Sequence, residues 1–600
     1  MRKMLHRMMI GIAAAALWAA APVVRAQTLL VDTGSGNASG GHALFNSPPN
    51  FNFLACKFTL GSAFTIGTVQ GWMVRPSGTI VLKLCANSGG NLPGSVLASQ
   101  NFPVTFGGFS AAWTSFIVSG AAWSQPAGTY WICFECTTGT TSGSMPGNAP
   151  TPLSNTAYFT NGNPGYVLNG AGDMNGRYGL RLYTPAPPSP INVPAQQPTI
   201  QAGINAASLP SQEVIVAPGT YNEAINFNGK TIIVRSSGGS GVTTINATGT
   251  NTHAVTIGSG SAAGTRLEGF NITGGSTTGR GGGVLVSSAT ALIKDCDITA
   301  NHADSGGGVA AELLGNATFQ NCNLLNNTAD TAGGGAYVNG ATLTLTQCTL
   351  ETNTSAADAG GLDVNNNGTA TVTNCLFDTN TSGNAGGGVV IIGTGANATF
   401  NTTDFINNTA AQAGGVYVNI GSGGFTNCQF LDNHATFVGG TSGGGLQAQG
   451  TGTSVTLTTC DFADNDAAYG AGAEFLAFNG TATITDCNFS DNIASIQGGG
   501  IYRGFGGSNN PSVGTSAFCG NSPNHINGSF TNSGGNTFNV ACSAAGGDLN
   551  GDGHVDVNDL LSVISAWGNC PAAPASCTGD TNNDGIVDVN DLLTVITHWG

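Results

Sequence analysis

A short pattern that returns about every 26 residues constrains this chain more than any other feature of its sequence. Each unit has a cysteine, an apolar residue two places later, an asparagine five places after the cysteine, and then a glycine cluster. A repeat of this length is typical of a solenoid, in which each unit forms one coil and covers the apolar side of the next. The column consists of Cys296, Cys322, Cys348, Cys375, Cys428, Cys460 and Cys487, with Thr403 in the same place in one unit.

The apolar residues of one unit indicate short strands that turn corners. Phe425, Cys428 and Phe430 can all point inward only if the chain bends between two strands, because the alternation slips by one residue. Glycines such as those at 333–335 then permit backbone conformations closed to other residues before a third strand. We therefore predict a parallel β-helix with three strands per coil and a column of buried thiols.

The asparagines should stack at the next corner of the coil. Neighbouring side-chain amides can hydrogen-bond along the solenoid axis, because adjacent strands lie about 4.8 Å apart. The predicted ladder is structural and contains Asn301, Asn327, Asn353, Asn380, Asn408, Asn433, Asn465 and Asn492.

Residues 191–540 resemble the right-handed parallel β-helix proteins of the pectin lyase-like group. The segments Gln197-Pro-Thr-Ile-Gln-Ala-Gly-Ile-Asn205 and Val214-Ile-Val-Ala-Pro-Gly-Thr-Tyr221 are similar to that group's cap and first coil. The repeats are also similar to those of bacterial surface β-helix proteins, including polymorphic outer-membrane adhesins. The resemblance implies the fold and leaves the function open, because this fold hosts lyases, hydrolases, epimerases and adhesins.

The outward position of the third strand predicts a strip along the solenoid. Its candidate glycan-binding residues are Tyr337, Asp363, Tyr417, Glu474 and Tyr502, whose tyrosines could stack on sugars. A glycosidase needs two carboxyls about 5 to 9.5 Å apart. Asp363 and Glu474 should be about 19 Å apart, since four coils separate them. The strip is therefore interpreted as a binding surface and not as a catalytic pair.

A second acidic column precedes the ladder asparagines of three consecutive coils, at Asp432, Asp464 and Asp491. Carboxylates about 5 Å apart could raise one pKa or bind calcium. The alternative is three solvated turn aspartates.

The C-terminal region, residues 541–600, repeats a calcium-loop pattern at an offset of 32 residues. Oxygen ligands at loop positions 1, 3, 5 and 12, a backbone carbonyl at 7 and glycine at 6 suit two Ca²⁺ ions. From 548 to 600 there are eight acidic residues and no Lys or Arg, so metal-free loops should repel themselves. The predicted ligands are Asp548, Asn550, Asp552, His554, Asp556 and Asp559, then Asp580, Asn582, Asp584, Ile586, Asp588 and Asp591.

Each loop precedes an apolar helical pattern, at Leu560, Ile564 and Trp567 and again at Leu592, Ile596 and Trp599. This duplicated loop and helix resembles a type I dockerin, which implies docking to a cohesin-type protein. Cys570 and Cys577 form an insertion relative to that family and can pair. Val557-Asn558 and Val589-Asn590 occupy the positions that contact the cohesin in the family. An intramolecular cap or stalk is the alternative.

The N-terminal part predicts an exported protein. Residues 1–26 have the basic start, apolar run and small-residue cleavage site of a signal peptide, with no later membrane-spanning stretch. Residues 27–183 alternate short strands with turns, as in a jelly-roll-like β-sandwich, and a Pro-rich linker follows at 184–190. Its Cys56, Cys85, Cys133 and Cys136 leave the connectivity open. Cys133 and Cys136 could form a redox or metal pair, but they follow a strand in an exported module without a second such motif, so we expect a structural disulfide there.

Charge and context then decide the predicted function. The chain has 31 acidic and 15 basic residues, four of the latter within the first 26, so nucleic acid is a poor partner. We predict a secreted or cell-surface protein that binds polysaccharide or surface glycans and is attached through its calcium-dependent C-terminus. A polysaccharide lyase or glycoside hydrolase, and a purely structural surface protein, are the alternatives.

Overall fold

The computed structural model describes residues 29–32, 41–47, 50–73, 78–88, 92–104, 112–120, 123–136, 140–146, 156–160, 167–168, 180–184, 189–437, 442–539, 542, 549, 555, 557–570, 577, 579–581 and 586–597. The predicted signal segment 1–26 lies outside them. The chain is mainly β and divides into two compact units, one between residues 23 and 187 and one between 188 and 600.

The N-terminal unit contains two antiparallel sheets and a two-stranded ribbon, Phe64–Thr65 with Ser124–Gln125. Side chains of both sheets, including Val69 and Phe134, share one buried cluster. The first sheet has the order Leu29–Asp32, Leu180–Tyr183, Thr68–Met73, Ala112–Ile117. The second has the order Thr140–Pro146, Gly41–Ser47, Asn50–Leu60, Gly128–Cys136, Gly78–Asn87, Pro93–Val104, with Thr156–Thr160 and Val167–Leu168 attached.

The expected disulfide within the Cys133-x-x-Cys136 motif is wrong. Cys133 carries a thiol whose Sγ lies 3.6 Å from Sγ of Cys85, a second thiol on the neighbouring strand. Residues three apart on a strand project to opposite faces, so a bond inside the motif would distort the strand.

The second unit is a right-handed parallel β-solenoid of about 12 turns. A short helix, Ile200–Ala206, packs Ile200 and Ile204 into the first coils of the apolar core. Its first turn is capped by the Thr199 hydroxyl, which accepts from the Ala202 N–H, and by Glu223, which accepts from the amides of Ile200 and Gln201.

Each central coil runs through four faces, numbered here in chain order. Face 1 consists of Ile191–Val193, Glu213–Val216, Ile233–Ser236, Arg266–Glu268, Thr290–Lys294, Asn316–Gln320, Thr342–Thr346, Thr369–Thr373, Asn397–Asn401, Ser422–Thr426, the second parts of Leu446–Thr458 and Ala473–Thr485, Ser512–Gly514 and Thr531–Gly534. Face 2 consists of Gly219–Tyr221, Thr243–Asn246, Asn271–Thr273, Asp297–Thr299, Asn323–Leu325, Thr349–Glu351, Leu376–Asp378, Asp404–Ile406, Gln429–Leu431, Asp461–Ala463, Asn488–Ser490, Ala517–Cys519 and Thr537–Asn539.

Face 3 is a sheet of eight short strands that the sequence did not predict, so the central coils have four strands and not three. The chain stays extended after the ladder asparagine for long enough to pair before the glycines. The strands of face 3 are His302–Ser305, Thr328–Ala332, Thr354–Ser355, Thr381–Ser382, Thr409–Ala410, His434–Ala435, Asp466–Tyr469 and Ile493–Gln497.

Face 4 follows the glycine cluster and leads into the next coil. It consists of Ile225–Asn226, Val255–Ile257, Val284–Ser287, Val309–Glu312, Ala336–Asn339, Leu362–Asn365, Val389–Ile392, Val416–Asn419, the first parts of Leu446–Thr458 and Ala473–Thr485, Ile501–Arg503 and Ile526–Asn527. All strand pairs within the four faces are parallel.

The predicted cysteine and asparagine columns are confirmed. All seven column cysteines are buried free thiols. Each ladder Nδ2 from Asn301 to Asn492 donates to Oδ1 of the asparagine in the next coil, at 2.8 to 3.1 Å. The ladder continues one coil further than predicted, to Asn521. Inside it, aromatic rings stack from coil to coil, as between Phe430 and Phe462, whose centroids are 4.2 Å apart.

The C-terminal residues form two helices, Val557–Ser565 and Val589–Thr597, and a small ribbon of Gly568–Asn569 with Ile586–Val587. Cys570 pairs with Cys577, as the sequence allows, and Cys519 of face 2 pairs with Cys542.

Candidate functional site

The outward row of face 4 contains the predicted glycan-binding strip. Tyr337, Asp363, Val390, Tyr417, Gln447, Glu474 and Tyr502 follow one another in register, one per coil. The alignment is therefore as predicted, and four coils separate Asp363 from Glu474. The exposure differs from the prediction, because the five candidate residues are at most 6% exposed. As the chain is folded here, no tyrosine ring of this row is open to a sugar.

The chain itself covers this row. The segment between faces 3 and 4 passes over the outward side chains of face 4, and Ala359, Ala385 and Ala413 pack with Val390 and Tyr417. At Gly470, φ is +54° and an added Cβ would lie 2.8 Å from Cβ of Glu474. Glycine is thus needed there both for the left-handed backbone and for the close approach.

Covering the row leaves two buried carboxyl groups. Burial raises the pKa of Asp363 to about 8, with a further rise from the charge of Asp358, against a lowering hydrogen bond from Asn365. Burial also raises the pKa of Glu474 to about 8, while the backbone N–H of Ser442 lowers it. Among the described residues, neither Glu474 oxygen has a hydrogen-bond partner of normal geometry. Both groups are therefore protonated at neutral pH and are unsuited to act as a carboxylate pair.

The acidic column forms as the sequence indicates. The Asp432 amide donates to the Ala463 carbonyl, and the Asp464 amide to the Ser490 carbonyl, so the three aspartates occupy consecutive coils. Asp432, Asp464 and Asp491 have φ of 53°, 54° and 53°. Asn326, Thr352 and other residues at this turn share that conformation, which Asp tolerates well. This shared backbone conformation favours three turn aspartates over a calcium site at the acidic column.

Among the residues that the structure describes, three or more metal-ligating side chains converge only at Cys570, Cys577 and Asp580. Both sulfurs belong to a disulfide, so they offer no thiolate to a metal.

The C-terminal duplication is repeated in three dimensions. Asp559 and Asp591, at the twelfth loop position, are fully buried. Oδ1 of Asp559 accepts from the Leu549 N–H at 2.7 Å, and Oδ1 of Asp591 accepts from the Thr581 N–H at 2.7 Å. Leu549 and Thr581 are both second loop positions, so the halves close in the same way. The two halves also contribute equivalent residues to the buried core. Val555 corresponds to Val587, and Val563 corresponds to Val595.

Not all predicted calcium ligands fall within the described residues. Asp559, Asp580, Ile586, Asp588 and Asp591 do, and Asp548, Asn550, Asp552, His554, Asp556, Asn582 and Asp584 lie outside them. In the second loop, Asp591 Oδ2 also accepts from the Asp588 N–H at 2.9 Å, which draws two predicted ligands together. Buried carboxylates in a segment with no Lys or Arg fit a divalent cation.

Apolar side chains of the predicted helical pattern are exposed on the two helices and just after the first one. Ile564 and Trp567 are 51% and 52% exposed, and Ile596 is 50% exposed, whereas Val563 and Val595 point inward. Leu561 and Leu593, 32 residues apart, are also about half exposed. The module therefore exposes equivalent apolar residues in both of its halves.

A match to one protein family agrees with the solenoid. The family described as "Right handed beta helix region" matches residues 231–405. No curated protein matches the chain. Among solved structures, the tailspike gp49 of Acinetobacter baumannii bacteriophage Fri1, a capsular polysaccharide depolymerase, is 11% identical over 65% of this chain and 70% of its own, with TM-score 0.26. The tailspike gp49 of Pseudomonas phage LKA1 is 12% identical over 86% and 66%, with TM-score 0.22. The Siphovirus 9NA tailspike receptor binding domain is 11% identical over 59% and 76%, with TM-score 0.16.

Proposed function

We propose that the protein is a secreted or cell-surface protein that binds polysaccharide or surface glycans and is attached through a calcium-dependent C-terminal module. The observation that carries the proposal is the equivalent closure of two loops by Asp559 and Asp591, each buried and each bonded to the second loop residue at 2.7 Å. Glycan binding follows from the dockerin-like character of that module, which belongs to secreted glycan-degrading and surface proteins.

Two Ca²⁺ ions bind to this module, one per loop, with the twelve residues named from the sequence as ligands. Residues 548–600 include eight acidic residues and no Lys or Arg, so Ca²⁺ supplies the positive charge that balances them. Asp559 and Asp591 hold the last position of each loop and join it to the following helix.

Calorimetric titration of the mature protein tests these sites. Wild type should bind two Ca²⁺ ions, Asp559→Ala and Asp591→Ala one each, and the double variant none, because each loop loses its buried ligand. Asp432→Ala, on the solenoid surface, is the matched control and should still bind two. If the Asp559→Ala and Asp591→Ala variants each still bound two Ca²⁺ ions, the assignment would be refuted.

Attachment is proposed to use the exposed apolar residues of the two helices, with a cohesin-type protein as the partner. Leu561 and Leu593 occupy equivalent positions in the two halves, as do Ile564 and Ile596. The two members of each pair are exposed to about the same degree. Such a partner should be retained by the protein with calcium and released by a chelator, because the helices follow directly from the metal loops. Retention that is insensitive to calcium would remove the docking role.

The covered row of face 4 argues against cleavage on this strip and equally against sugar binding there, so glycan binding is proposed from the C-terminal module and not from this row. A polysaccharide lyase or hydrolase on this strip would need open ionisable groups, and Asp363 and Glu474 are buried and four coils apart. Export is proposed from residues 1–26. None of the described helices is long and apolar enough to cross a membrane.

A further inference from the structure

Face 1 has a regular outward surface, called here the hydroxyl face, in the seven consecutive coils from Asn316 to Thr485. Each strand contributes three outward side chains, and the strands align without a register shift in this stretch. The positions are Asn316, Thr318, Gln320, Thr342, Thr344, Thr346, Thr369, Thr371, Thr373, Asn397, Thr399, Asn401, Ser422, Gly424, Thr426, Ser454, Thr456, Thr458, Thr481, Thr483 and Thr485.

The composition of the hydroxyl face is narrow. Of its 21 outward positions 14 are threonine, and none is charged, aromatic or aliphatic. All 21 are exposed or partly exposed. Among the described residues, the threonine side chains of this face have one internal hydrogen bond, from Thr481 to Ser454 at 3.3 Å. The other hydroxyl groups are therefore available to water or to a ligand.

Strand propensity does not explain this composition. Threonine suits any exposed strand, yet the 14 outward positions of face 2 in the same coils include a single threonine, Thr349, and four acidic residues. Face 1 itself carries charged residues in its earlier coils, where Arg235 pairs with Glu213 and Arg266 with Glu268. The uncharged surface of three outward columns thus distinguishes face 1 from face 2, and this stretch of face 1 from its earlier coils.

The geometry is a lattice. Equivalent threonines such as Thr344, Thr371 and Thr399 repeat along the axis at about 4.8 Å, and alternate residues of one strand repeat at about 6.7 Å across it. One hydroxyl contact contributes only about 1 kcal/mol, so strong binding requires many simultaneous contacts. Only a ligand that is itself periodic in two directions can make them all, and a single soluble sugar chain is periodic in one.

We propose that the hydroxyl face binds ice. A mineral surface or an acidic polymer requires charged partners, which this face lacks. The face also has no aromatic ring on which a pyranose ring could stack. Ordered water offers uncharged O–H donors and acceptors in a two-dimensional lattice and accommodates methyl groups between them, and threonine supplies one hydroxyl and one methyl per site. This inference goes beyond glycan binding and does not depend on it.

Partition into slowly growing ice, together with thermal hysteresis, tests the proposal on the mature full-length protein. Wild type should be enriched in the ice fraction and depress the freezing point below the melting point. Thr371→Lys, in the middle column and the third of the seven coils, should reduce both signals at least tenfold, because one long charged side chain holds the surface off the crystal. Thr381→Lys, at another exposed threonine, on face 3 of the same coil, should leave both unchanged.

The outcomes separate the possibilities. Exclusion of wild-type protein from ice, or equal loss in Thr371→Lys and Thr381→Lys, would overturn the proposal. Retention on crystalline cellulose or chitin that Thr371→Lys abolishes, without enrichment in ice, would also overturn it and assign the lattice to an ordered polysaccharide. Equal melting temperatures of the two variants establish that a difference between them is not a folding defect.

Discussion

Replacing Asn380 with alanine should lower the free energy of unfolding by about 4 kcal/mol, because it leaves several buried polar groups without partners. Asn380 is fully buried. Its Oδ1 accepts from the backbone N–H and the Nδ2 of Asn353, and its Nδ2 donates to the Leu350 carbonyl at 2.9 Å and to Asn408 at 3.0 Å. Alanine removes all four bonds and interrupts the ladder between two halves of the solenoid.

Asn384→Ala is the matched control, four residues further along the same coil. The Asn384 side chain is exposed and donates to Asp358 at 2.7 Å, so its loss should change stability by less than about 0.5 kcal/mol. Urea denaturation gives the difference. Hydrogen exchange should also be measured, because a solenoid can open coil by coil. Equal losses in the two variants would show that the ladder does not hold the coils together.

Raising the pH from 4 to 9 should destabilise the solenoid through Asp363 and Glu474. Their pKa values are about 8 in the folded chain, against ordinary values of 3.8 and 4.5. Between these limits the unfolded chain has lost protons that the folded chain still holds. Stability therefore falls as pH rises from about 4 and levels off above about 8, a loss on the order of several kcal/mol per group.

Glu474→Gln and Asp363→Asn test this pH dependence by thermal melting across the range. Both should melt near the wild-type temperature at pH 4 and well above it at pH 9, because the neutral amides lose no proton. Asp432→Asn changes an exposed carboxyl and should follow the wild-type profile. Parallel profiles for Glu474→Gln and wild type would mean that Glu474 is not buried as the structure places it.

Residue patterns predicted the parts of the fold that depend on local repetition. The cysteine and asparagine columns follow from spacing alone, since one coil repeats the next. Asn521 was missed because its coil has Ser516 in the cysteine position, where the Ser516 hydroxyl accepts from the Cys487 N–H at 3.2 Å. A search on the asparagine and the preceding Phe518 would have found it.

The covered strip could not be predicted in the same way. Alternation along a strand establishes that Tyr337 and Glu474 point away from the solenoid core, but not what lies above them. That depends on the path of the segment between faces 3 and 4, which the glycines allow to pass directly over the row. The threonines of the hydroxyl face did carry a sequence signal, the Thr-x-Thr-x-Thr pattern of 342–346, 369–373 and 481–485.

Incubation of the mature protein, with calcium, against a panel of acidic and neutral polysaccharides tests the central claim of glycan binding most directly. Pull-down, reducing ends and unsaturated-product absorbance are recorded together. The account predicts retention of the protein on at least one polysaccharide without cleavage. Chain cleavage would instead make the protein an enzyme, and failure to bind any polysaccharide or to cleave one would contradict glycan binding and leave a structural surface protein.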